Sequence, residues 1–528
     1  MTSSSHPAVP RRRVLAAGAA LPVTASLGLA AASPVHAQTR STGRPGTMGC
    51  TEQLHLTATD AVEAIAAGRL SAVVYVRTLL ERAEALEDLR LVITLDHRGA
   101  LAAAGRIDAA RRAGKRLGPL AGLPLLVKDN INTRLLRTTG ATPALARFRP
   151  NDDAPVLRRL LDAGAVVLGK ANMHELALGV TNTNFSPFAG FARNPYDRDR
   201  IPGGSSGGTA AAIAARIVPA GLGTDTGSSV RLPAAFNGVV GLRPSVGNGG
   251  RQRRYSGQGV LPLSHTLDTV GPIGRTVADV ALLDSVVTGA CRVRAARPEG
   301  LRLGVPPVLW KGLEHAVDEV GRAAKSQLAR AGVELVEVDL PGLFDLSNEI
   351  IFPVALHEAH IDIPRYLSDS GARNVTMRDI AAETASPDVH KVFQSVLADD
   401  YASAYPDAMN VHRPEIQRLV GGYFARQGVD ALLFPTAPVL PSPIDPVNGS
   451  GTMSVDGGPQ VDTFTTSIRN TAPGSCVGMP GLVVPGGMAK SGLPVGLSLE
   501  GPVGSDRRLL AIGMALEKIL GPAPAPRV

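Results

Sequence analysis

Residues 203–244 read GGSSGGTAAAIAARIVPAGLGTDTGSSVRLPAAFNGVVGLRP and contain two glycine loops that both carry serine. The glycines of the first loop free the backbone for unusual torsion angles. The run from Thr209 to Arg216 consists of strong helix formers and predicts a tightly packed helix that ends near Pro219. Residues 220–223 predict a short buried strand. The stretch therefore predicts a helix and a strand that hold two serine loops close together.

The second loop, residues 224–229, reads TDTGSS. Consecutive amide N–H groups in such a turn can point at one small anion. Acyl transfer requires a site of this kind, because negative charge develops on a carbonyl oxygen and preorganised donors stabilise it. The loop therefore favours acyl transfer.

Three motifs, in this order and spacing, resemble the signature of the amidase signature family of serine hydrolases. They are GLPLLVKDNI around Lys128, GGSSGG around Ser205 and GTDTGSSVR around Ser229. The separation of the serines, 229 − 205 = 24 residues, agrees with that family. The resemblance implies a triad of nucleophile Ser229, bridging Ser205 after a cis peptide bond, and base Lys128. It covers roughly residues 55–520 and is weakest in the middle.

Lys128 can accept a proton only when it is neutral. The apolar run before it predicts the end of a buried strand, where desolvation lowers the pKa of the ammonium group. Only 8 of the 54 basic residues are lysines. An arginine at this position could not act as the base, because its guanidinium group does not lose its proton in proteins.

The resemblance implies a proton relay through Ser205 and an acyl-enzyme that water hydrolyses. The backbone N–H groups of four residues form the candidate oxyanion hole: Thr226, Gly227, Ser228 and Ser229. Supporting roles are expected for Ser206, Asp225 and Arg231, with Arg231 paired to Asp225; as caps or turn residues they would play no catalytic part. Two residues depart from the family pattern, which usually has glycine at Ser228 and in many members cysteine at Asn237.

The first 37 residues predict a secretory signal peptide of the twin-arginine type. Arg11, Arg12 and Arg13 precede an apolar stretch, and VHA at residues 35–37 offers a cleavage site. Residues 38–54 are predicted to be a linker. An exported, periplasmic or secreted bacterial enzyme without stable membrane insertion is expected once the signal is removed.

Composition excludes a nucleic-acid binder. The formal net charge is +8, or +5 without the three arginines of the signal, and the basic clusters are scattered. Cys50, Cys291 and Cys476 allow at most one disulfide and are expected to be free core residues. No cofactor is expected. No metal is expected either, since two histidines at His357 and His360 without a third ligand do not make a site.

Strands alternate with helices over residues 91–170, which predicts an α/β fold with a mixed, mostly parallel sheet covered by helices on both faces. A single large domain is expected over residues 55–525. Within it, the resemblance implies that residues 292–430 supply much of a variable substrate pocket. Lys170 is expected to hold a backbone carbonyl or a carboxylate.

The predicted activity is hydrolysis of carboxylic amides to acid and ammonia or amine. The sequence from Leu432 onward resembles the indoleacetamide and mandelamide hydrolase branch. This resemblance implies that the substrates are small aryl or arylalkyl amides. Peptide amides, N-acyl compounds, anilides, esters or carbamates remain open as substrates.

A glutamine-dependent amidotransferase subunit would share the triad but conflicts with an export signal. The sequence GGSSGGT before a helix could also form a phosphate-binding loop, but the lysine of the phosphate-binding motif is absent. A non-catalytic binding protein would be expected to lose a triad residue. The expected partner is a small-molecule amide, and a homodimer is left open.

Overall fold

The computed structural model describes residues 48–528, in which most strands belong to one sheet. In chain order the strands are β1 (Val92–Leu95), β2 (Pro124–Lys128), β3 (Val166–Ala171), β4 (Ala220–Asp225), β5 (Val240–Arg243), β6 (Val246–Gly247), β7 (Gln252–Arg253), β8 (Thr269–Gly274), β9 (Arg302–Gly304), β10 (Glu334–Val336), β11 (Ala431–Pro435), β12 (Thr452–Ser454), β13 (Gln460–Asp462), β14 (Gly481–Met488) and β15 (Pro494–Glu500). Eleven of them form a sheet in the order β1-β3-β2-β4-β8-β5-β14-β15-β11-β9-β10. The pairs β6-β7 and β12-β13 stand apart.

Helices surround this sheet. They are α1 (Cys50–His55), α2 (Ala58–Ala66), α3 (Ala72–Ala85), α4 (His97–Arg112), α5 (Pro155–Asp162), α6 (Gly207–Ala214), α7 (Arg231–Phe236), α8 (Val277–Thr288), α9 (His315–Arg330), α10 (Leu343–Ser370), α11 (Met377–Glu383), α12 (Pro387–Ala398), α13 (Tyr405–Asp407), α14 (Arg413–Gln427), α15 (Thr463–Ile468), α16 (Ala472–Val477) and α17 (Asp506–Leu520). None of the helices within residues 48–528 combines the length and the apolar character needed to cross a membrane.

The predicted α/β fold with helices on both faces is confirmed by alternation along β14. Leu482 belongs to the same apolar cluster as Leu509 of α17. Its neighbour Val483 points the other way and shares a cluster with Ala234 and Ala235 of α7. Because successive side chains of a strand face opposite sides, this strand is buried between helices on its two faces.

The sheet is mixed, as predicted, but its parallel share is smaller than expected. Parallel pairs occur only at the two flanks, where β3, β2 and β4 lie side by side and where β11, β9 and β10 do. The central strands pair in antiparallel fashion. The alternation of strands and helices that predicted parallel pairing covers only residues 91–170. In the central part of the sheet, β14 and β15 are joined by a segment too short for the crossover that parallel strands require, so they pair in antiparallel fashion.

The N-terminal predictions fall partly outside the described residues. The signal at residues 1–37 and most of the linker lie there. The last linker residues, however, belong to α1, where Gln53 accepts a hydrogen bond from Thr78 of α3 at 2.8 Å. The described residues form one compact unit. The part of residues 38–54 that is described is therefore packed against that unit.

Two further expectations need correction. Within residues 292–430 the sequence predicts a helix from about Val317 to Ala331 and further helices between Pro353 and Gln427. The first corresponds to α9, but α10 begins ten residues before Pro353 and contains both Pro353 and Pro364. Burial of its apolar side chains outweighs the hydrogen bond that each proline removes. All three cysteines are free as expected, yet only Cys476 is buried, and Cys50 and Cys291 are exposed.

Candidate active site

Two neighbouring parallel strands end at the site. β2 pairs with β4 so that Val127 lies beside Leu222, and both strands are buried along their whole length. Lys128 is the last residue of β2, as the apolar run predicted. The loop after β4 begins at the same edge. The carboxyl ends of parallel strands are where open α/β sheets bind ligands.

Lys128 is buried and bonded to both serine-loop segments. Its Nζ donates to Oγ of Ser205 at 2.7 Å and to Oγ1 of Thr224 at 2.7 Å. Burial lowers the pKa of Lys128 to about 7, against the opposing effect of the Asp225 and Asp268 charges. Near neutral pH a large fraction of this lysine is therefore unprotonated, as a general base requires.

Ser205 lies in the turn before α6. The peptide bond between Gly204 and Ser205 is cis, as the resemblance implied. Ser206 ties this turn to the end of β4, because its Oγ donates to the carbonyl of Thr224 and accepts from the N–H of the same residue, both at 3.2 Å. A Cβ at Gly208 would lie 2.3 Å from the carbonyl oxygen of Asn172, which explains why only glycine fits at the start of α6.

The loop after β4 has its carbonyl groups engaged and its N–H groups free. The carbonyls of Thr226, Gly227, Ser228 and Ser229 accept hydrogen bonds from Arg243, Arg231, Leu232 and Ser206 respectively. Among the hydrogen bonds within residues 48–528, none is donated by the backbone N–H of those four loop residues. These N–H groups are therefore available as donors to a small anion.

A buried ionic network holds this loop. Arg231 pairs with Asp225 at 3.0 Å, as predicted, and with Glu500 at 2.5 Å. Arg243 also pairs with Asp225 at 3.0 Å and donates to its backbone carbonyl at 2.7 Å. Burial would raise the pKa of the Asp225 carboxyl, but the two guanidinium groups outweigh it and hold that pKa well below its usual range.

Sequence reasoning missed Thr224 as a partner of Lys128 and missed Arg243 and Glu500 altogether. Arg243 ends β5 and Glu500 ends β15. A charged residue at the end of an apolar strand was the signal used for Lys128, and the same signal would have identified both.

Replacing Arg231 with methionine is expected to lower the free energy of unfolding by roughly 3–5 kcal/mol, because it leaves the buried carboxylate of Glu500 unpaired and Asp225 with Arg243 alone. Arg322, whose side chain is 74% exposed, pairs with Asp318 on the surface of α9. The matched variant Arg322→Met should change stability by less than about 1 kcal/mol. Urea unfolding followed by circular dichroism compares the two. Equal effects would contradict a structural role for the network.

A cavity of about 470 Å³ opens beside Ser229. Its walls are mainly apolar and come from α10, α12 and α15, with Ile351, Phe352, Val392 and Phe464 among the lining residues. The rings of Phe352 and Phe464 lie 5.8 Å apart. Two of these helices fall within residues 292–430, the segment predicted to supply much of a substrate pocket.

The remaining polar candidates have structural partners. Lys170 donates to the carbonyl of Ile131 at 2.6 Å and lies 3.4 Å from Asp129, as expected. His357 lies 2.7 Å from Asp399, and His360 contacts the carbonyl of Val396 at 3.0 Å. Asn237 donates to the carbonyls of Pro202 and Pro233, both at 2.7 Å, so it fastens the end of α7.

Comparisons with known proteins identify the family. The family model described as Amidase matches residues 75–510. Mandelamide hydrolase of Pseudomonas putida is 38% identical over 486 residues, 89% of this chain and 92% of that protein. Indoleacetamide hydrolase of Rhizobium radiobacter is 40% identical over 450 residues, 84% and 93% respectively.

A solved structure extends the likeness to the fold. Native peptide amidase from Stenotrophomonas maltophilia superimposes with a TM-score of 0.74 at 31% sequence identity, covering 90% of this chain and 98% of that one. The family model, the relatives and the fold all indicate an amidase. The chain belongs to the amidase family and is an amide-hydrolysing enzyme.

Proposed function

We propose that the enzyme cleaves small aryl or arylalkyl amides to acid and ammonia through an acyl-enzyme on Ser229. One observation carries this proposal: the site combines a buried lysine whose pKa is about 7 with a loop, residues 226–229, whose N–H groups have no partner within residues 48–528. Base and anion site are the two parts that nucleophilic acyl transfer needs.

In the proposed mechanism neutral Lys128 takes the proton of Ser205, and Ser205 takes that of Ser229 as the Ser229 oxygen attacks the amide carbon. Within residues 48–528 no hydrogen bond joins the hydroxyls of Ser205 and Ser229. The relay requires this hydrogen bond to form in the substrate complex, and catalytic hydrogen bonds often tighten only when substrate is bound.

The negative charge then develops on the carbonyl oxygen, where the N–H groups of residues 226–229 stabilise it. The proton returns to the leaving amine, and the carbon–nitrogen bond breaks. Water attacks the ester on Ser229 and passes its proton back along the same path. The acid leaves, and the free enzyme is restored.

The cavity supports the proposed substrate class. Its lining includes two phenylalanine rings and branched aliphatic side chains, which suit an aromatic acyl group. The names of the relatives from Pseudomonas putida and Rhizobium radiobacter refer to arylacetamides of this kind. Its volume also admits larger acyl groups, so peptide amides belong in the test.

Ammonia release over a panel of amides tests the proposal. The panel contains phenylacetamide, mandelamide, indoleacetamide, propionamide and a peptide amide, with an anilide and an ester of the same acid. We expect kcat/KM to be greatest for the arylacetamides. Cleavage of the anilide or ester without ammonia release from primary amides would contradict the substrate class while leaving the triad in place.

We further propose that the enzyme is exported and works on small molecules outside the cytoplasm. This part rests on the arginines and the apolar stretch of residues 11–37.

A further inference from the structure

Ser228 has a buried hydroxyl without a partner. The residue is 1% exposed and precedes the proposed nucleophile directly, and within the described residues no hydrogen bond reaches its Oγ. Ser228 also lines the 470 Å³ cavity. Buried side-chain hydroxyls are normally paired in native proteins, so an unpaired one next to a reacting centre needs an explanation.

The cavity wall carries a second hydroxyl of the same kind. Thr463, at the start of α15, is 1% exposed, and its Oγ1 also lacks a partner among the described residues. Both residues line the cavity that otherwise presents mainly apolar groups. A purely hydrocarbon acyl group would leave both hydroxyls unpaired, whereas an acyl group with its own polar atoms would pair them.

The carbonyl oxygen of the substrate is not the partner that Ser228 lacks. The proposed mechanism already assigns that oxygen to four backbone N–H groups that have no partner within residues 48–528. The next atom of the acyl group is its α-carbon, which continues from the carbonyl carbon into the cavity. Because Ser228 directly precedes the proposed nucleophile and lines the same cavity, its hydroxyl is available to a polar substituent on the α-carbon.

We infer that Ser228 hydrogen-bonds a hydroxyl or amino substituent on the α-carbon of the acyl group, so that α-hydroxy and α-amino amides are the preferred substrates. This inference rests on the proposed function, because it places the acyl group in the same cavity. It makes the side chain of Ser228 a determinant of specificity, whereas the backbone N–H of the same residue belongs to the proposed oxyanion hole.

Matched substrate pairs test the inference. Mandelamide differs from phenylacetamide by the α-hydroxyl, and phenylalaninamide differs from 3-phenylpropanamide by the α-amino group. We expect wild-type kcat/KM to favour the substituted member of each pair by about 10- to 100-fold. In Ser228→Ala the ratio should fall to about one, mainly through loss on the substituted member. Ser228→Gly should behave in the same way.

Stability separates this role from a structural one. Since the hydroxyl has no partner to lose, Ser228→Ala should leave the melting temperature unchanged or raise it. Ser442 is 3% exposed, and its Oγ is likewise unpaired within residues 48–528, but Ser442 does not line the cavity. Ser442→Ala is therefore the matched control and should leave both substrate ratios as in wild type.

Binding provides a readout that does not depend on turnover. In a Ser229→Ala background, calorimetric Kd values for mandelamide and phenylacetamide should differ as the wild-type kcat/KM values do, and adding Ser228→Ala should remove the difference. Equal loss on both members of a pair, or a Kd ratio unchanged by Ser228→Ala, would overturn the inference. A wild-type enzyme inactive on every amide would overturn the proposed function instead, and the Kd ratio would still decide the role of Ser228.

Discussion

Ser229→Ala is expected to lower kcat for amide hydrolysis by about 10³-fold or more, with little change in KM. The methyl group cannot attack a carbonyl, and the relay from Lys128 through Ser205 then has no proton to accept. The N–H donors of the loop remain, so substrate binding should survive. What activity is left should come from those donors acting on a direct attack by water.

The measurement is ammonia release by purified protein, with Ser442→Ala as the control for removing a buried hydroxyl away from the site. Rapid acid quench and mass spectrometry of the wild-type enzyme should also show the acyl group on the peptide that contains Ser229, and this adduct should be absent from Ser229→Ala. Activity within tenfold of wild type in the purified variant would rule out Ser229 as the nucleophile.

The positions of the main site residues could be predicted because each depends on a local pattern. An apolar run that ends in lysine gives a buried strand with Lys128 at its end, and the structure places Lys128 there. The glycine content of the two serine loops indicates close approach, which the tight surroundings of Gly208 illustrate. The spacing between the loops fits one helix and one strand, α6 and β4.

The rest depends on contacts between residues far apart in sequence. Glu500 reaches Arg231 across 269 positions, and no local pattern connects them. The order of the central strands is likewise set by packing, so the alternation near the N-terminus could not reveal that β8 inserts between β4 and β5. In α10 the sequence predicted a helix start near Pro353, while the burial of residues such as Ile350 and Val354 keeps the helix continuous through that proline.

Lys128→Ala is expected to lower kcat by about 10²- to 10⁴-fold, the range that a positioned general base contributes. The pH dependence identifies the cause. Wild-type kcat/KM should rise with pH and level off above about 7, because only the neutral amine accepts the proton of Ser205 and burial lowers the pKa of Lys128 to about 7. Lys128→Ala should lose this limb. Lys128→Arg keeps a positive charge at every pH and should be inactive throughout. A limb near pH 7 that persists in Lys128→Ala would assign the titration to another group.

The same group should affect stability with a definite sign. The pKa of Lys128 is about 7 in the folded protein and near 10.5 in the unfolded chain. Below pH 7 both states bind the proton, and the fold bears the full penalty of a buried charge. Between pH 7 and 10.5 only the unfolded chain holds it, so the free energy of unfolding should rise with pH across this window. Lys128→Met, which keeps the length of the side chain without the charge, should be more stable than wild type below pH 7, and the two proteins should converge toward pH 10. A wild-type curve parallel to that of Lys128→Met between pH 6 and 10 would mean that Lys128 keeps its proton in the fold, and the proposed general base would have to lie elsewhere.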